Sequence, residues 1–296
     1  MEALERCRKI TREQVDKHPN PDFKIHVMPD EDIFFTWVME LVNWMRISDV
    51  EDRKIVMLMP NPVPEYRHVA AMINKFRINC RNVWMFALDE YANEKGEIAP
   101  DTWDNSFMYS LRNFLWKNID EDLRMPAEQV IGPTDQNIND YTNMIEQEGN
   151  GGADISYTGP GWVGHVGFVE PDAPEFAGTL EEFKQMGARI CTLSPFTLAQ
   201  NSLHGCFGMS GDIARVPPMA ATIGPRDVIN ARNRIEVHSI GIHGTATTWQ
   251  RLMSRLCCHG PVCPQLPTSI HQELRTDVLM SETIAATIED TWAKGY

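Results

Sequence analysis

The chain has 296 residues, 43% of them hydrophobic and 23% charged, with a formal net charge of −14. That length supplies a core large enough for a soluble α/β enzyme, while the acidic balance excludes a global positive field for nucleic acid or anionic lipid. The apolar runs fall short of the ~18 residues of a membrane span, the first residues lack the apolar segment of a signal peptide, and seven scattered cysteines fit reduced thiols of a cytoplasmic protein.

Residues 1–30 are polar, include His18-Pro19-Asn20-Pro21, and read as an N-terminal extension packed on a single domain spanning 31–296. Asp30-Glu31-Asp32 precedes a periodic apolar stretch from Ile33 to Met45, and acids at that point suit a helix N-terminus. Lys54–Met59 reads as a buried strand closed by Pro60-Asn61-Pro62, and Glu65–Phe76 has helical period. Val83–Ala87 is a second buried strand that runs into Leu88-Asp89-Glu90-Tyr91. Asp104–Asn118 is expected to be one helix, with Asn105-Ser106 as cap and Phe107, Leu111, Phe114 and Leu115 as its apolar face.

Further along, Gln129–Ile131 is a brief strand, Asn137–Gln147 a helix, and Ala153–Tyr157 a third buried strand leading to Gly159-Pro160-Gly161. Arg189–Leu193, Met219–Ile223, Ile235–Ile242 and Asp277–Met280 are strand candidates, and Thr245–Cys257 is a helix candidate. This alternation predicts an α/β fold: three layers, Rossmann-like, with a mostly parallel sheet and helices on both faces. Cys257, Cys258, His259 and Cys263 offer four soft donors. Adjacent thiols do not readily converge on one ion and the paired Cys-x-x-Cys spacing is missing, so no metal site is expected.

Ligands of such folds gather at the loops after the strands' C-terminal ends, here Asn61–Glu65, Asp89–Tyr91 and Gly159–Glu170. A carboxylate beyond a buried strand suits a general base, because desolvation raises its basicity, and equally suits a cap; Asp89 and Glu90 carry both readings. His165 has the intrinsic pKa to shuttle a proton near neutrality, and Glu170 is spaced to orient it. A histidine packed against a backbone carbonyl is the plainer alternative. Gly161 and Gly164 allow close backbone approach. The aromatic face of Trp162, inserted in the glycine loop, suits stacking on a sugar ring, or plain packing.

The order is specific: strand, Leu-Asp-Glu-Tyr, then about seventy residues on a strand followed by Gly-x-Gly-x-x-Gly-His-x-x-Phe-x-Glu-Pro. In this the chain resembles the glucosamine-6-phosphate deaminase/isomerase family, which shares its fold superfamily with 6-phosphogluconolactonase. Asn105-Ser106-Phe107, Leu111–Phe114, Pro126–Glu128, Ala221–Gly224, Asp227–Ala231 and Pro267–Ile270 extend the likeness over roughly residues 30–285.

The resemblance implies a cytoplasmic homo-oligomer acting on a small sugar or amino sugar, without metal or organic cofactor and without nucleic-acid or membrane partners. It implies Asp89 as the base moving a proton between C2 and C1, His165 as the ring-opening acid/base, and Glu170 as its supporting carboxylate. Asn61, Val63, Glu90, Gly161, Trp162, Gly164 and Thr247 would line the substrate site.

Three departures qualify this. The family's aspartate two residues before the histidine is Val163 here. Its Thr-Gly-Gly phosphate turn is Pro60-Asn61-Pro62-Val63-Pro64, whose prolines lack N–H donors. Its lid arginine and later lysine align with Leu198 and Thr247. The expected function is therefore aldose–ketose isomerisation, with deamination of an amino sugar and altered or absent phosphate recognition. The alternatives are a non-catalytic sugar-binding or regulatory protein and, less favoured because Glu170 is foreign to that pattern, a sugar lactone hydrolase.

Overall fold

A computed structural model describes residues 2–239 and 250–289. In chain order, helix α1 (Glu2–Arg8) precedes strand β1 (Phe23–Met28) and the long helix α2 (Asp30–Val50). Strands β2 (Ile55–Met59) and β3 (Val83–Ala87) flank helix α3 (Tyr66–Phe76), and β4 (Asp89–Ala92) follows β3 after one residue. Next come α4 (Phe107–Ser110), β5 (Val130–Ile131), α5 (Tyr141–Glu148) and β6 (Ile155–Thr158). The remainder supplies α6 (Leu180–Lys184), β7 (Arg189–Thr192), α7 (Pro195–Asn201), β8 (Met219–Thr222), α8 (Pro225–Asn230), β9 (Asn233–His238), α9 (Gln250–His259), β10 (Thr276–Ser281) and α10 (Glu282–Ala285).

The main sheet has seven strands in the order β1-β10-β9-β6-β2-β3-β5, every neighbouring pair parallel. Its interior strand β2 is buried throughout, as an all-apolar Ile-Val-Met-Leu-Met run requires when both faces are covered. The pleat divides that run. Ile55, Met57 and Met59 join the core under α2 and α3, and Val56 and Leu58 join the core on the other face with Phe86, Tyr141 and Phe168. This is the expected three-layer α/β architecture. No helix among the described residues is long and apolar enough to cross a membrane.

Three details differ from the expected elements. The stretch set apart as residues 1–30 contributes β1, an edge strand of the main sheet, in register with β10 from Phe23–Thr276 to Met28–Ser281. The same stretch is tied down by the fully buried Arg255, which donates to the carbonyls of Ile10, Arg251, Ile284, Ala285 and Ala286.

The helix expected over Asp104–Asn118 starts at its Ser106 cap (Tyr109 N–H to Oγ, 2.8 Å) but continues after α4 as a π turn at Leu111–Leu115 and a 3₁₀ turn at Trp116–Asn118. The Asn113 and Asn118 amides donate to the Tyr109 and Asn113 carbonyls, at 2.7 and 2.6 Å, and such side-chain bonds compete with regular helix pairing.

The strands at Arg189 and Met219 form, but outside the parallel sheet: β4, β8 and β7 make a separate antiparallel sheet in that order. Helix α9 begins at Gln250, and the earlier part of the helix expected from Thr245 lies outside the described residues.

Leu58, fully buried at the sheet's centre, gives a direct check of this packing. Leu58→Ala is expected to cost about 2–5 kcal/mol, seen as a lowered urea midpoint with an unchanged slope.

Candidate active site

A cavity of about 610 Å³ opens at the C-terminal ends of the parallel strands. The turn after β2 supplies Pro60, Asn61, Pro62, Val63 and Glu65; the junction after β3 supplies Leu88 and Asp89. Thr158 and Gly159 end β6, and His165, Gly167 and Phe168 come from the loop beyond. The first turns of α2 add Asp30, Ile33, Phe34 and Trp37, α7 adds Gln200 and Asn201 with His204 just past it, and β9 adds Val237 with Ser239 just past its end. Asp89 and His165, over seventy residues apart in sequence, thus share one cavity wall with Asn61 and Val63.

Asp89 opens β4, opposite Thr222. It is 5% exposed and its Oδ1 has no hydrogen-bond partner. Burial, and then the neighbouring Glu90, push its carboxyl well above the usual range. A desolvated, unpartnered carboxylate is a strong base once ionised, and a cation beside it would favour that ionisation.

Glu90 behaves otherwise. Its carboxylate accepts from the N–H groups of Tyr91 (2.9 Å), Phe107 (3.0 Å) and Met108 (2.9 Å), so it caps the start of α4 and does not line the cavity. Successive residues of a strand point to opposite faces, which is why these adjacent acids part company.

His165 is 6% exposed, with Nδ1 3.4 Å from Glu170 Oε1 and 3.5 Å from Thr197 Oγ1. Glu170 is 1% exposed and sits behind the imidazole, its Oε2 without a partner. The loop holding the ring is anchored from the 3₁₀ turn Pro267–Glu273: Thr268 Oγ1 donates to the His165 carbonyl at 2.6 Å and Thr268 N–H to the Gly164 carbonyl at 3.0 Å.

Gly161 has φ +54°, and a Cβ there would overlap His165 Nε2. Gly164 has φ +78° and backs onto Leu266 and Met253. Both glycines shape the loop from outside the cavity lining. Trp162 is 39% exposed and also stands outside it, its N–H donating to Gln200 Oε1 at 2.5 Å. Val163 is half-buried. Thr247 lies outside the described residues.

The cavity's charge is as informative as its shape. Asp30, Glu65 and Asp89 line it, and no lysine or arginine does among the described residues. Glu65 stands at the N-cap of α3, the end of a helix dipole that favours an anion. Ile33, Phe34 and Trp37 make the adjoining wall apolar. Those residues, with Thr158, Gln200, Asn201 and His204, carried no motif. Only their positions at strand ends and helix starts could have marked them. Cys257 and Cys258 are buried and unbridged, and no three His, Cys, Asp or Glu side chains meet with metal-binding geometry among the described residues.

Two consequences follow for this site. Gly161→Ala is expected to displace the His165 ring, seen as shifted imidazole NMR signals with the far-UV spectrum retained. Burial lifts the Glu90 carboxyl from its ordinary 4.5 to about 7. The folded chain therefore holds this proton more tightly than the unfolded chain. That contribution to stability is full below about pH 4.5 and lost as pH rises through about 7. Glu90→Gln is expected to flatten the corresponding fall in urea midpoint between about pH 5 and 8.

No family model matches the chain. Glucosamine-6-phosphate deaminase of Dictyostelium discoideum is 26% identical over 192 residues, 62% of this chain and 63% of that protein, so the match spans less than two thirds of the relative. Other curated glucosamine-6-phosphate deaminases match at 24–27% identity. Among solved structures, a monomeric glucosamine-6-phosphate deaminase of the NagB superfamily superposes with TM-score 0.69 at 17% identity, covering 88% of this chain and 98% of that one. The 6-phosphogluconolactonase of Trypanosoma cruzi superposes with TM-score 0.61 at 14% identity, covering 91% and 97%.

Proposed function

We infer that this chain, a divergent relative of the glucosamine-6-phosphate deaminases, is a sugar isomerase whose substrate is an amino sugar without a 6-phosphate. One observation carries the reading: Asp89 and His165 line a single cavity in which acids are the only fully charged side chains among the described residues. His165, with Glu170 at its back, opens the pyranose ring. Asp89 then moves a proton between C2 and C1, and the reaction ends in a ketose and ammonia. A protonated amine on C2 would sit beside Asp89 and offset the burial that holds its proton on, leaving it ionised when needed.

The same lining argues against a phosphate. The prolines after β2 remove N–H donors, and Glu65 puts a carboxylate at the helix end where an anion would otherwise be favoured. A charge-assisted hydrogen bond contributes about 1.5–3 kcal/mol, so replacing several with acids reverses the preference. Phe34 and Trp37 offer a sugar ring an apolar face instead.

A second reading, a sugar-binding protein without turnover, is favoured by Val163, which leaves Glu170 as the carboxylate that contacts His165 among the described residues.

Ammonia and ketose release from glucosamine, its 6-phosphate, other hexosamines and gluconolactones separates these readings. Glucosamine is expected to react better than its 6-phosphate, and Asp89→Asn is expected to lower kcat by roughly 10²–10⁴-fold. Binding without turnover would establish the second reading, and hydrolysis of a lactone alone would establish a lactonase.

A further inference from the structure

A second cluster of ionisable side chains meets the cavity at Thr158. Strands β6 and β9 pair so that Thr158 stands beside Glu236. The Thr158 hydroxyl donates to Glu236 Oε2 and lies 3.3 Å from His271 Nε2. Glu236 Oε2 is itself 3.4 Å from that same ring nitrogen. Glu236 and His271 are each 1% exposed and Thr158 is 3% exposed. The other His271 nitrogen, Nδ1, is 2.9 Å from the Thr268 carbonyl, which requires Nδ1–H and leaves Nε2 of the neutral ring as acceptor. Thr268 is also the residue that holds the His165 loop.

Groups from every packed element face Glu236. His238 on the same strand has Nε2 3.8 Å from Glu236 Oε1. Arg234, also on β9, spends its guanidinium on the carbonyls of Val228, Ile229, Ala231 and Arg275. Helix α9 brings Cys257 and Cys258, and β10 brings Val278. Among the described residues no cation is positioned to neutralise a Glu236 carboxylate, and its Oε1 has no hydrogen-bond partner there. Burying an acid and two imidazoles on and against a parallel sheet costs stability that apolar residues would not. Such a cost is characteristic of functional sites.

We propose that Thr158 is a catalytic hydroxyl of this cavity, that Glu236 is a positioning residue that resupplies its proton and that His271 is a positioning residue that orients the pair, forming a relay separate from His165–Glu170. The proposal rests on the ring-opening reading above. As the ring opens, the C1–O5 bond breaks with its electron pair passing to O5. With Glu236 in its acid form the bond between the two reverses, the carboxyl O–H donating to Thr158 Oγ1 and freeing the hydroxyl hydrogen; O5 takes that proton, and Thr158 takes the Glu236 carboxyl proton. The C1 hydroxyl gives its proton to His165 as the carbonyl forms. One imidazolium and one carboxylate result, and closure of the product ring runs both transfers backwards. Burial supports this order, lifting Glu236 to about 8 and lowering His271 to about 4, so at neutral pH the acid holds the proton and the imidazole is uncharged. That places the donor's pKa near the operating pH, where general acids work best.

The test uses the full chain with glucosamine, following kcat, KM and the pH profile. Thr158→Val is expected to lower kcat by about 10²-fold with KM little changed, and Thr158→Ser to restore most of it. In the parent chain kcat falls above about pH 8 as Glu236 loses its proton, and Glu236→Gln is expected to lower kcat and abolish that alkaline limb. An active parent whose Thr158→Val and Glu236→Gln variants keep its kcat and pH profile overturns the relay alone. A parent inactive on glucosamine and on the other hexosamines overturns the isomerase reading and the relay with it. Should Glu236→Gln not fold, infrared titration of the parent serves instead: a buried carboxylic acid persisting to about pH 8 is expected, and a glutamate already ionised at pH 6 overturns the proposal.

Discussion

The site depends on what happens to the backbone at one residue, Leu88. Its N–H donates to the Met59 carbonyl at 2.9 Å, and its carbonyl accepts from Ile223 N–H at 2.8 Å. The first bond belongs to the parallel sheet, the second to the antiparallel one. The chain thus passes from one sheet to the other within a single peptide, with both polar groups satisfied in a buried place. Asp89, the next residue, is carried past the end of β3 and into the cavity, while Glu90 turns away to cap α4. Without the second sheet, the Leu-Asp-Glu-Tyr segment would be a surface loop with two solvated acids.

Around that junction the molecule concentrates buried acidity. Asp89 and Glu236, both buried, are held protonated toward higher pH by desolvation, and each keeps an oxygen without a hydrogen bond. Glu90 has similar burial but three N–H partners, and its task is structural. The contrast separates an acid satisfied by backbone N–H groups from acids that each keep one oxygen without a hydrogen bond. The cavity joins carboxyl groups, an apolar wall from α2 and a proline-rich turn, the combination on which the proposal of a neutral or cationic sugar rests.

Much of this was legible from residue order alone. The all-apolar run of β2 is what a strand covered on both faces demands, and Ser106 capped as its type predicts. The Gly-x-Gly-x-x-Gly-His pattern located a loop where Gly161 leaves room for the His165 ring. Other features were not legible for physical reasons. The helix after Ser106 loses its regular pairing because Asn113 and Asn118 bond to backbone carbonyls, which apolar periodicity does not register. The strands at Arg189 and Met219 look locally like any others, and their antiparallel sheet is chosen by where Leu88 turns.

By itself the sequence determined the α/β class, the resemblance to the deaminases and the residues able to move protons, because these depend on local propensity, spacing and side-chain chemistry. It also showed that the turn after β2 is short of N–H donors, since proline lacks an N–H whatever its surroundings. Only the tertiary structure decided which of two adjacent acids reaches the cavity. It alone brought Thr158, Glu236 and His271 together from three separate segments. On β9, alternation of polar Arg234, Glu236 and His238 with Ile235 and Val237 suggests one face in water. The packing of α9 and the 3₁₀ turn against that face buries it instead, and burial is what converts ordinary polar side chains into groups with unusual proton affinity.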